Sequence, residues 1–380
     1  MLTIVESLEE LRYSTEPIIY FSRYRADQVD NGGARRSAQL RQLLSGYDVA
    51  FVSSLTKQSA EGNRSGNALF DRAVKLIVRC RTRKFSDEFG RWLFFSDRLA
   101  KRWAKALQLR QKPRLILVDD PIFFPSLIRY CTDQDIPVIA HCHNIEALSR
   151  GQVMPRCQQE LLAYEMGLLE QCRAAVTISS EEAFLLRNLG MTAEFLPYYP
   201  PSPIEQQLLA IRQRRITTDK RDFILLGSAG NAPTREGMAR LLAAWRIMGG
   251  LPGERLYVVG YDTEMLRHAS GMSGVEFCGA VTDQELAELL AMVRGGIVFQ
   301  EDGAGALTRI GEYLLAGVPV VANSHAARSW HNLPGITEFI HLDELRPTLT
   351  AIIAKSPEVT QPTSPDHALL HRMINAVLSG

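Results

Sequence analysis

Short apolar segments bounded by turn residues alternate along the chain with amphipathic stretches of helical periodicity. Parallel strands are buried on both faces, so they are near-continuous apolar runs, and each needs a crossover to the next strand. The alternation therefore predicts an α/β protein with parallel sheets. In the first half the predicted strands are 17–22, 48–54, 114–120, 136–142, 174–180 and 193–199. In the second half they are 222–228, 254–260, 275–280, 295–301 and 318–323.

The two series of strands predict two Rossmann-like, doubly wound domains, at 1–200 and 222–355. The segment 201–221, rich in proline and charge, is predicted to be the linker. A helix at about 365–380 is predicted to pack back on the first domain. Because ligands of doubly wound sheets bind at the carboxyl ends of the strands, the expected site is an interdomain cleft.

The charge balance gives no global field, since 43 basic residues stand against 42 acidic ones. Neither a signal peptide nor an apolar run long enough to span a bilayer is recognisable, so a cytoplasmic protein is expected. The six cysteines are scattered without CxxC pairs, which is typical of reduced core residues. No nucleic-acid recognition motif is recognisable either, and no nucleic-acid partner is predicted.

A glycine-rich turn, GAGALT at 303–308, lies between a predicted strand and a predicted helix. It departs from the dinucleotide pattern GxGxxG at Thr308, and the next strand, VVANSH, lacks the acidic residue that would bind an NAD ribose. The turn therefore does not predict an NAD site. Its unpaired backbone N–H groups and the positive end of the helix dipole still favour a phosphate.

The helix after this turn has an apolar stripe and a polar side that carries Arg309 and Glu312. An arginine in the first turn opposes the helix dipole, and an anionic ligand would remove that objection. Glu312 would then accept hydrogen bonds from sugar hydroxyls. The alternative is a solvated Arg309–Glu312 pair beside an ordinary turn.

The second half of the chain resembles the nucleotide-sugar domain of retaining GT-B glycosyltransferases of the family-four type. The residues that carry the resemblance are FILLGSAGNAPTREGMARLLAAW, LYVVG, VEFCGAVTDQELAELLAM and GGIVFQEDGAGALTRIGEYLLAGVPVVAN, which ends in E-x-x-x-A-G-x-P-V-V. The first half is similar more loosely, through DNGGARRSAQLRQLL, IAHCHNIEAL and VTISSEEAFLLRNLG. The resemblance covers nearly the whole chain and implies a GT-B fold.

The resemblance implies that Glu312 binds the ribose hydroxyls of a nucleotide sugar and that His143 faces the reacting sugar. Arg235 is implied to bind the donor diphosphate, with Asn231 or Arg309 beside it. The catalytic residues implied are thus His143, Arg235 and Arg309. The other donor-binding residues implied are Gly32, Gly33, Gly303, Ala304, Gly305, Ala306, Leu307 and Thr308.

The chain departs from the family pattern at Ala304, where such enzymes usually carry a glutamate that contacts the donor sugar. The resemblance implies transfer of a sugar from a nucleoside diphosphate to an acceptor hydroxyl with retention of anomeric configuration. The leaving phosphate takes the acceptor proton in the mechanism the family is thought to use, so neither a cofactor nor a metal is implied. The implied partners are a sugar nucleotide and a glycan, lipid-linked or protein acceptor.

Two alternative functions share this architecture: a nucleotide-sugar epimerase, and a catalytically idle sugar-nucleotide-binding subunit of a larger machine. An epimerase needs acid and base carboxylates, for which Glu146, Asp119 and Asp120 are the sequence candidates. A metal interpretation of His141 and His143 with Glu146 is also open, but no further ligand stands at a metal spacing. No metal site is therefore predicted.

Residues 71–114 hold 14 Lys and Arg against 4 Asp and Glu, interleaved with aromatic residues. Basic charge and aromatic rings suit a membrane surface, so a peripheral contact with the inner membrane face is one interpretation. Solvated basic faces of first-domain helices are the other. The stretch KQSAEGNRSGN at 57–67 is predicted to be a mobile loop that contributes to acceptor choice.

Overall fold

The computed structural model describes residues 2–5, 8–53, 97–98, 100–108, 111–149, 158–269 and 274–379. The chain forms two compact units. The first contains Met1–Pro197 and Pro365–Gly380, and the second contains Tyr198–Ser364.

The first unit is a parallel sheet with helices on both faces. Its strands are β1 (Leu2–Val5), β2 (Ile18–Ser22), β3 (Val49–Ser53), β4 (Leu115–Asp119), β5 (Val138–Cys142), β6 (Ala174–Thr177) and β7 (Ala193–Phe195). Its helices include α1 (Leu8–Tyr13), α2 (Gly32–Leu43), α3 (Pro125–Asp133), α4 (Gln158–Leu169), α5 (Ser180–Asn188) and the C-terminal α11 (His367–Ser379). Among the described residues the strand order is β1-β3-β2-β4-β5-β6-β7.

The central strands β2, β4 and β5 are buried throughout, and their successive side chains point to opposite faces of the sheet. On β2, Phe21 packs in the core that contains Trp103, and Tyr20 packs in the opposite core. Leu370 and Ile374 of α11 are also fully buried in the opposite core. The C-terminal helix is therefore an integral part of the first unit.

The second unit is also doubly wound and parallel. Its strands are β8 (Arg221–Leu226), β9 (Leu256–Val259), β10 (Val275–Gly279), β11 (Val293–Val298), β12 (Val320–Asn323) and β13 (Ile336–Phe339). Its helices include α6 (Ser202–Arg215), α7 (Ala232–Ile247), α8 (Asp283–Met292), α9 (Thr308–Leu315) and α10 (Leu345–Ala354). In the part of the chain that is described, the strand order is β10-β9-β8-β11-β12-β13. The direction of winding thus reverses between β8 and β11, where doubly wound sheets bind ligands.

The α/β class is confirmed, and each of the eleven predicted strands is present. Two further strands, Leu2–Val5 and Ile336–Phe339, were not predicted. Both are edge strands of their sheets, and most of their residues are exposed or only partly buried. An edge strand is not buried on both faces, so it lacks the long apolar run that marks the central strands.

The segment predicted as a linker contains α6, which belongs to the second unit. Arg212 Nε donates to Leu315 O at 2.9 Å, and Arg215 Nε donates to Gly317 O at 2.9 Å. Arg215 Nη1 also donates to Val293 O at 2.8 Å. The carbonyls of Leu315 and Gly317 lie at the C-terminal end of α9, where a helix leaves acceptors unpaired and favours cations, and Val293 O directly follows α8. Helix α6 therefore stabilises the end of α9.

Two sequence predictions concern residues outside those described: the mobile loop at 57–67, and most of the basic stretch at 71–114, of which 71–96, 99 and 109–110 are not described. Within the described ranges, no helix is both long enough and apolar enough to cross a bilayer.

Candidate functional site

The glycine-rich turn of the second unit lies between β11 and α9, beside the reversal point of the sheet. Gly303 and Gly305 have φ of 104° and 69°, a region that favours glycine. Arg328 fixes the turn, since its Nε donates to Gly305 O at 2.7 Å and its Nη2 donates to Ala304 O at 2.9 Å. Arg328 therefore binds the carbonyl groups of Ala304 and Gly305.

Helix α9 begins at Thr308, and of the described side chains none caps its first turn. By contrast, the Asn231 side chain caps α7 by accepting from Thr234 N at 3.1 Å. An uncapped helix start presents backbone N–H groups and a positive dipole end, which together suit an anion such as a phosphate. Asn231, expected beside the diphosphate, acts here as a helix cap.

Arg309 reaches across the reversal point of the sheet. Its Nη1 donates to Leu226 O, the end of β8, at 3.2 Å, and the side chain is partly buried. A Cβ at Gly227 would lie 2.7 Å from Arg309 Nη1 and 2.6 Å from Thr234 Cγ2. The glycine after β8 therefore leaves the space in which the guanidinium lies.

Glu312 is buried, with 8% of its surface exposed, and it lies on α9 about one turn after the helix begins at Thr308. Its Oε1 accepts a hydrogen bond from the Tyr198 hydroxyl at 2.8 Å. Tyr198 follows β7 and is itself buried, and no periodic signal in the sequence connects it with Glu312. The pairing holds the carboxylate in one orientation, as a hydrogen-bonding anchor requires.

The charged residues near the turn have defined partners. Arg235 Nη1 donates to Ala229 O at 3.1 Å, so its guanidinium lies over the loop that follows β8. Asp302 Oδ1 accepts from Gly303 N at 2.7 Å, and Glu301 forms an ion pair with Arg240 on the surface. Both carboxylates near Ala304 thus have partners within the second unit.

The first unit has its own reversal point, between β2 and β4, and polar side chains gather at the carboxyl ends of its central strands. Asp119 ends β4 and is fully buried. Its Oδ1 accepts a hydrogen bond from Tyr20 Oη and also contacts His141 Nδ1, and its Oδ2 accepts from Ser22 Oγ. Each of the three distances is 2.6 Å. Although burial opposes ionisation, His143 and His141 hold the pKa of Asp119 well below its usual range.

His141 is buried beside this carboxylate, with 1% of its surface exposed. Burial lowers the pKa of His141 to about 3 and outweighs the opposing effect of Asp119. The neutral imidazole therefore donates its Nδ1 proton to Asp119.

His143 lies between two carboxylates, as the resemblance did not foresee. Its Nε2 is 3.5 Å from Asp119 Oδ1, its Nδ1 is 3.6 Å from Asp120 Oδ2, and its backbone N donates to Asp120 Oδ1 at 3.0 Å. The ring stacks on Tyr24, with centroids 5.5 Å apart and planes 6° from parallel. Burial lowers the pKa of His143, but Asp120 and Asp119 outweigh it and raise the pKa above its ordinary value. The two carboxylates therefore favour the charged form of the imidazole.

Gly32 and Gly33 form the first turn of α2, which Asn31 caps by accepting from Ala34 N at 3.0 Å. A Cβ on Gly33 would overlap the hydroxyl of Tyr24 and lie 3.0 Å from its Cε2. The glycine expected to admit a donor phosphate thus also leaves room for the ring that stacks on His143.

Arg23 and Glu146 complete the polar cluster. Arg23 Nε lies 3.4 Å from Asp120 Oδ2, and its Nη2 donates to Tyr24 Oη at 2.7 Å. The carboxyl of Glu146 is buried and accepts from Asn144 Nδ2 at 3.2 Å. Burial and the charge of Asp120 raise the pKa of Glu146 to about 7, against the effect of Arg23. Glu146 therefore exchanges a proton near neutral pH, as an acid or a base does.

Asp119, His141 and His143 have ligand atoms within 4.8 Å of one another, a spacing that would suit a metal ion. Both oxygens of Asp119, however, already accept short hydrogen bonds from Tyr20, Ser22 and His141. A metal would have to displace these bonds. The geometry therefore fits a hydrogen-bonded carboxylate and histidine pair better than a metal site.

Comparison with known proteins gives no matching family model and no matching curated protein. Solved structures do match. HepE from Anabaena in complex with UDP has a TM-score of 0.61 at 14% identity, covering 95% of this chain and 99% of that one. The α,α-trehalose-phosphate synthase (UDP-forming) from Burkholderia vietnamiensis has a TM-score of 0.61 at 12% identity, covering 97% and 96%.

A third similar structure is the sucrose-phosphate synthase from Thermosynechococcus elongatus, with a TM-score of 0.57 at 14% identity over 90% of each chain. At such identities the likeness concerns the fold alone. With its two doubly wound parallel units, the chain has the GT-B fold.

Proposed function

We propose that this protein is a glycosyltransferase that moves a sugar from a nucleoside-diphosphate sugar to an acceptor hydroxyl with retention of anomeric configuration. The observation that carries the proposal is the buried Glu312 on α9, about one turn from an uncapped helix start at the reversal point of the sheet. An anion site and a hydroxyl-binding carboxylate at that separation suit a nucleotide sugar. The similar HepE structures contain UDP, and in one case UDP and glucose, which supports the same ligand class here.

In the proposal the diphosphate binds at the 303–308 turn and at the start of α9, and Glu312 accepts the ribose hydroxyls. The charge that develops on the departing diphosphate is stabilised by Arg309 and Arg235 and by the amides of the turn. Arg235 exchanges its present acceptor, Ala229 O, for the phosphate.

His143 acts in the proposal as an imidazolium toward the reacting sugar, because two carboxylates favour its charged form. It then donates a hydrogen bond rather than removing a proton. The leaving phosphate takes the acceptor proton, so the transfer needs no protein base. We expect a glycan, lipid-linked or protein acceptor, and the cytoplasmic location and the contact of 71–114 with the inner membrane face stay predictions.

A thermal-shift screen over UDP-, GDP- and ADP-sugars tests the donor site. A ligand at 100 times its Kd stabilises the folded state by about 2.7 kcal/mol. For a unit of this size that raises the melting temperature by about 5–10 °C. The hit is then assayed for transfer and hydrolysis. Binding without turnover on any acceptor would favour the idle subunit, and no shift with any donor would refute the proposal.

The first unit favours the epimerase as a second candidate. Glu146, Asp120 and His143 are buried together, and Glu146 titrates near neutrality, which is what removal and return of a sugar proton require. Incubation of the bound sugar nucleotide in D2O without acceptor separates the two functions. Deuterium in a ring position would support the epimerase, and its absence alongside transfer would exclude it.

A further inference from the structure

Buried carboxylates bind the backbone of residues 143–147, which we call the 143–147 loop. Asp120 Oδ1 accepts from His143 N at 3.0 Å, and Glu182 Oε1 accepts from Ile145 N at 3.1 Å. Glu165 uses both oxygens, since Oε1 accepts from Glu146 N at 3.0 Å and Oε2 accepts from Ala147 N at 2.8 Å. Four N–H groups of a five-residue loop are thus bound by carboxyl groups.

These three carboxyl groups belong to separate elements. Asp120 follows β4, Glu165 lies on α4 and Glu182 lies on α5, and all three are at most 3% exposed. Burying a carboxyl group is costly, whereas loop amides are satisfied more cheaply by carbonyls or water. A merely structural loop does not call for such an arrangement. With this arrangement, the 143–147 loop cannot move without breaking hydrogen bonds to three separate elements.

The loop carries two buried titratable side chains at the carboxyl edge of the sheet. His143 opens it, between Asp119 and Asp120, and Glu146 lies within it. A small backbone displacement would change both distances from His143 to its carboxylates, because a single methylene joins the ring to the backbone and the ring is already stacked on Tyr24. Precise placement of reacting groups matters, since a displacement of 1 Å lowers a rate by about 10²-fold.

We infer that Glu165 and Glu182 are positioning residues: they fix the 143–147 loop and thereby the position and charge of His143. Their effect on turnover rests on the proposed function, in which His143 faces the reacting sugar. Their effect on the loop does not depend on it.

The geometry predicts unequal responses to substitution by glutamine. Glu165→Gln keeps only one acceptor oxygen for two N–H groups, so one of the Glu146 and Ala147 amides loses its partner. Glu182→Gln keeps the one oxygen that Ile145 N needs and is therefore the matched control. Glu182→Ala removes that oxygen.

The experiment compares the full-length parent with these three variants by hydrogen exchange of peptides covering 143–149, by NMR titration of His143 and by kinetics. In Glu165→Gln and Glu182→Ala we expect at least tenfold faster exchange of the loop, a shifted His143 titration and a kcat at least tenfold lower, with donor Kd unchanged. Glu182→Gln is expected to match the parent in all four.

Folded Glu165→Gln and Glu182→Ala variants with parental loop exchange and parental His143 titration would overturn the inference. Faster exchange with unchanged kcat would also overturn it, because the loop would then be structural. If the parent shows no turnover, the proposed transferase function is refuted instead. Hydrogen exchange of the loop and the titration of His143 would then still decide whether Glu165 and Glu182 fix the loop. Should Glu165→Gln not fold, the pair of Glu182 variants gives the same decision.

Discussion

Gly33→Ala tests whether the first unit is built around the stacking of Tyr24 on His143. The added Cβ would overlap the Tyr24 hydroxyl and lie 3.0 Å from Cε2. The ring cannot withdraw freely, because Tyr24 is 8% exposed, stacks on His143 and accepts a hydrogen bond from Arg23 at 2.7 Å. Overpacking of this kind costs about 1–3 kcal/mol, and the severity of the overlap places Gly33→Ala near the upper end.

The higher helix propensity of alanine offsets up to about 1 kcal/mol of this loss in the free energy of unfolding. The net expectation is a loss of about 2 kcal/mol, which lowers the melting temperature of the first unit by about 4–8 °C. Thermal unfolding of the parent and the variant measures it. Gly167→Ala is the matched control, since Gly167 also lies in a helix of the first unit and a Cβ there would meet nothing within 4 Å.

A double-mutant cycle with Tyr24→Ala identifies the partner. If the overlap with Tyr24 is the cause, Gly33→Ala and Tyr24→Ala should be non-additive by about 1 kcal/mol or more, with the double variant less destabilised than the sum. A Gly33→Ala variant that melts with the parent, or an additive cycle, would refute the reasoning. Parental melting with weaker donor binding would show instead that Gly33 serves the approach of the donor phosphates.

Three further predictions concern the second unit and the titration of the first. Glu312→Ala should raise the donor Kd about 10–100-fold, because hydrogen bonds to a charged group contribute about 1.5–3 kcal/mol. Arg235→Ala should mainly lower kcat. If both variants have the kinetic constants of the parent, the site is misassigned. Arg215→Ala should destabilise the second unit by about 1–3 kcal/mol by leaving carbonyls unpaired, whereas exposed Arg214→Ala should not, as urea unfolding can measure. The pKa of Glu146 is raised from 4.5 to about 7 in the folded state, so between these values the folded state binds a proton that the unfolded state has lost. The free energy of unfolding of the parent relative to that of Glu146→Gln should therefore fall by about 2–3 kcal/mol as the pH rises from 4.5 to 7. A difference that does not change with pH would contradict this prediction.

The sequence alone predicted the class and the central strands, because burial on both faces demands continuous apolar runs that are visible in a window of a few residues. It also predicted a helix after the glycine-rich turn with Arg309 and Glu312 on one side, since spacing along a helix fixes which residues share a side. The sequence did not predict the edge strands Leu2–Val5 and Ile336–Phe339 or the helix at 202–215. The proline and charge of that segment suggested a linker, whereas its arginines bind the carbonyls that end α9.

Only the tertiary structure revealed the partners of the site residues. Tyr198 and Glu312 are 114 positions apart, and His143 is more than 20 positions from the carboxylates that flank it. Buried polar residues leave no periodic signal, and a carboxylate is stable inside a protein only where donors converge on it. That convergence depends on which strand ends and helices meet at one edge of a sheet. The local pattern could therefore specify the elements, but only their packing could decide that Asp119, Asp120, Glu165 and Glu182 surround one histidine and its loop.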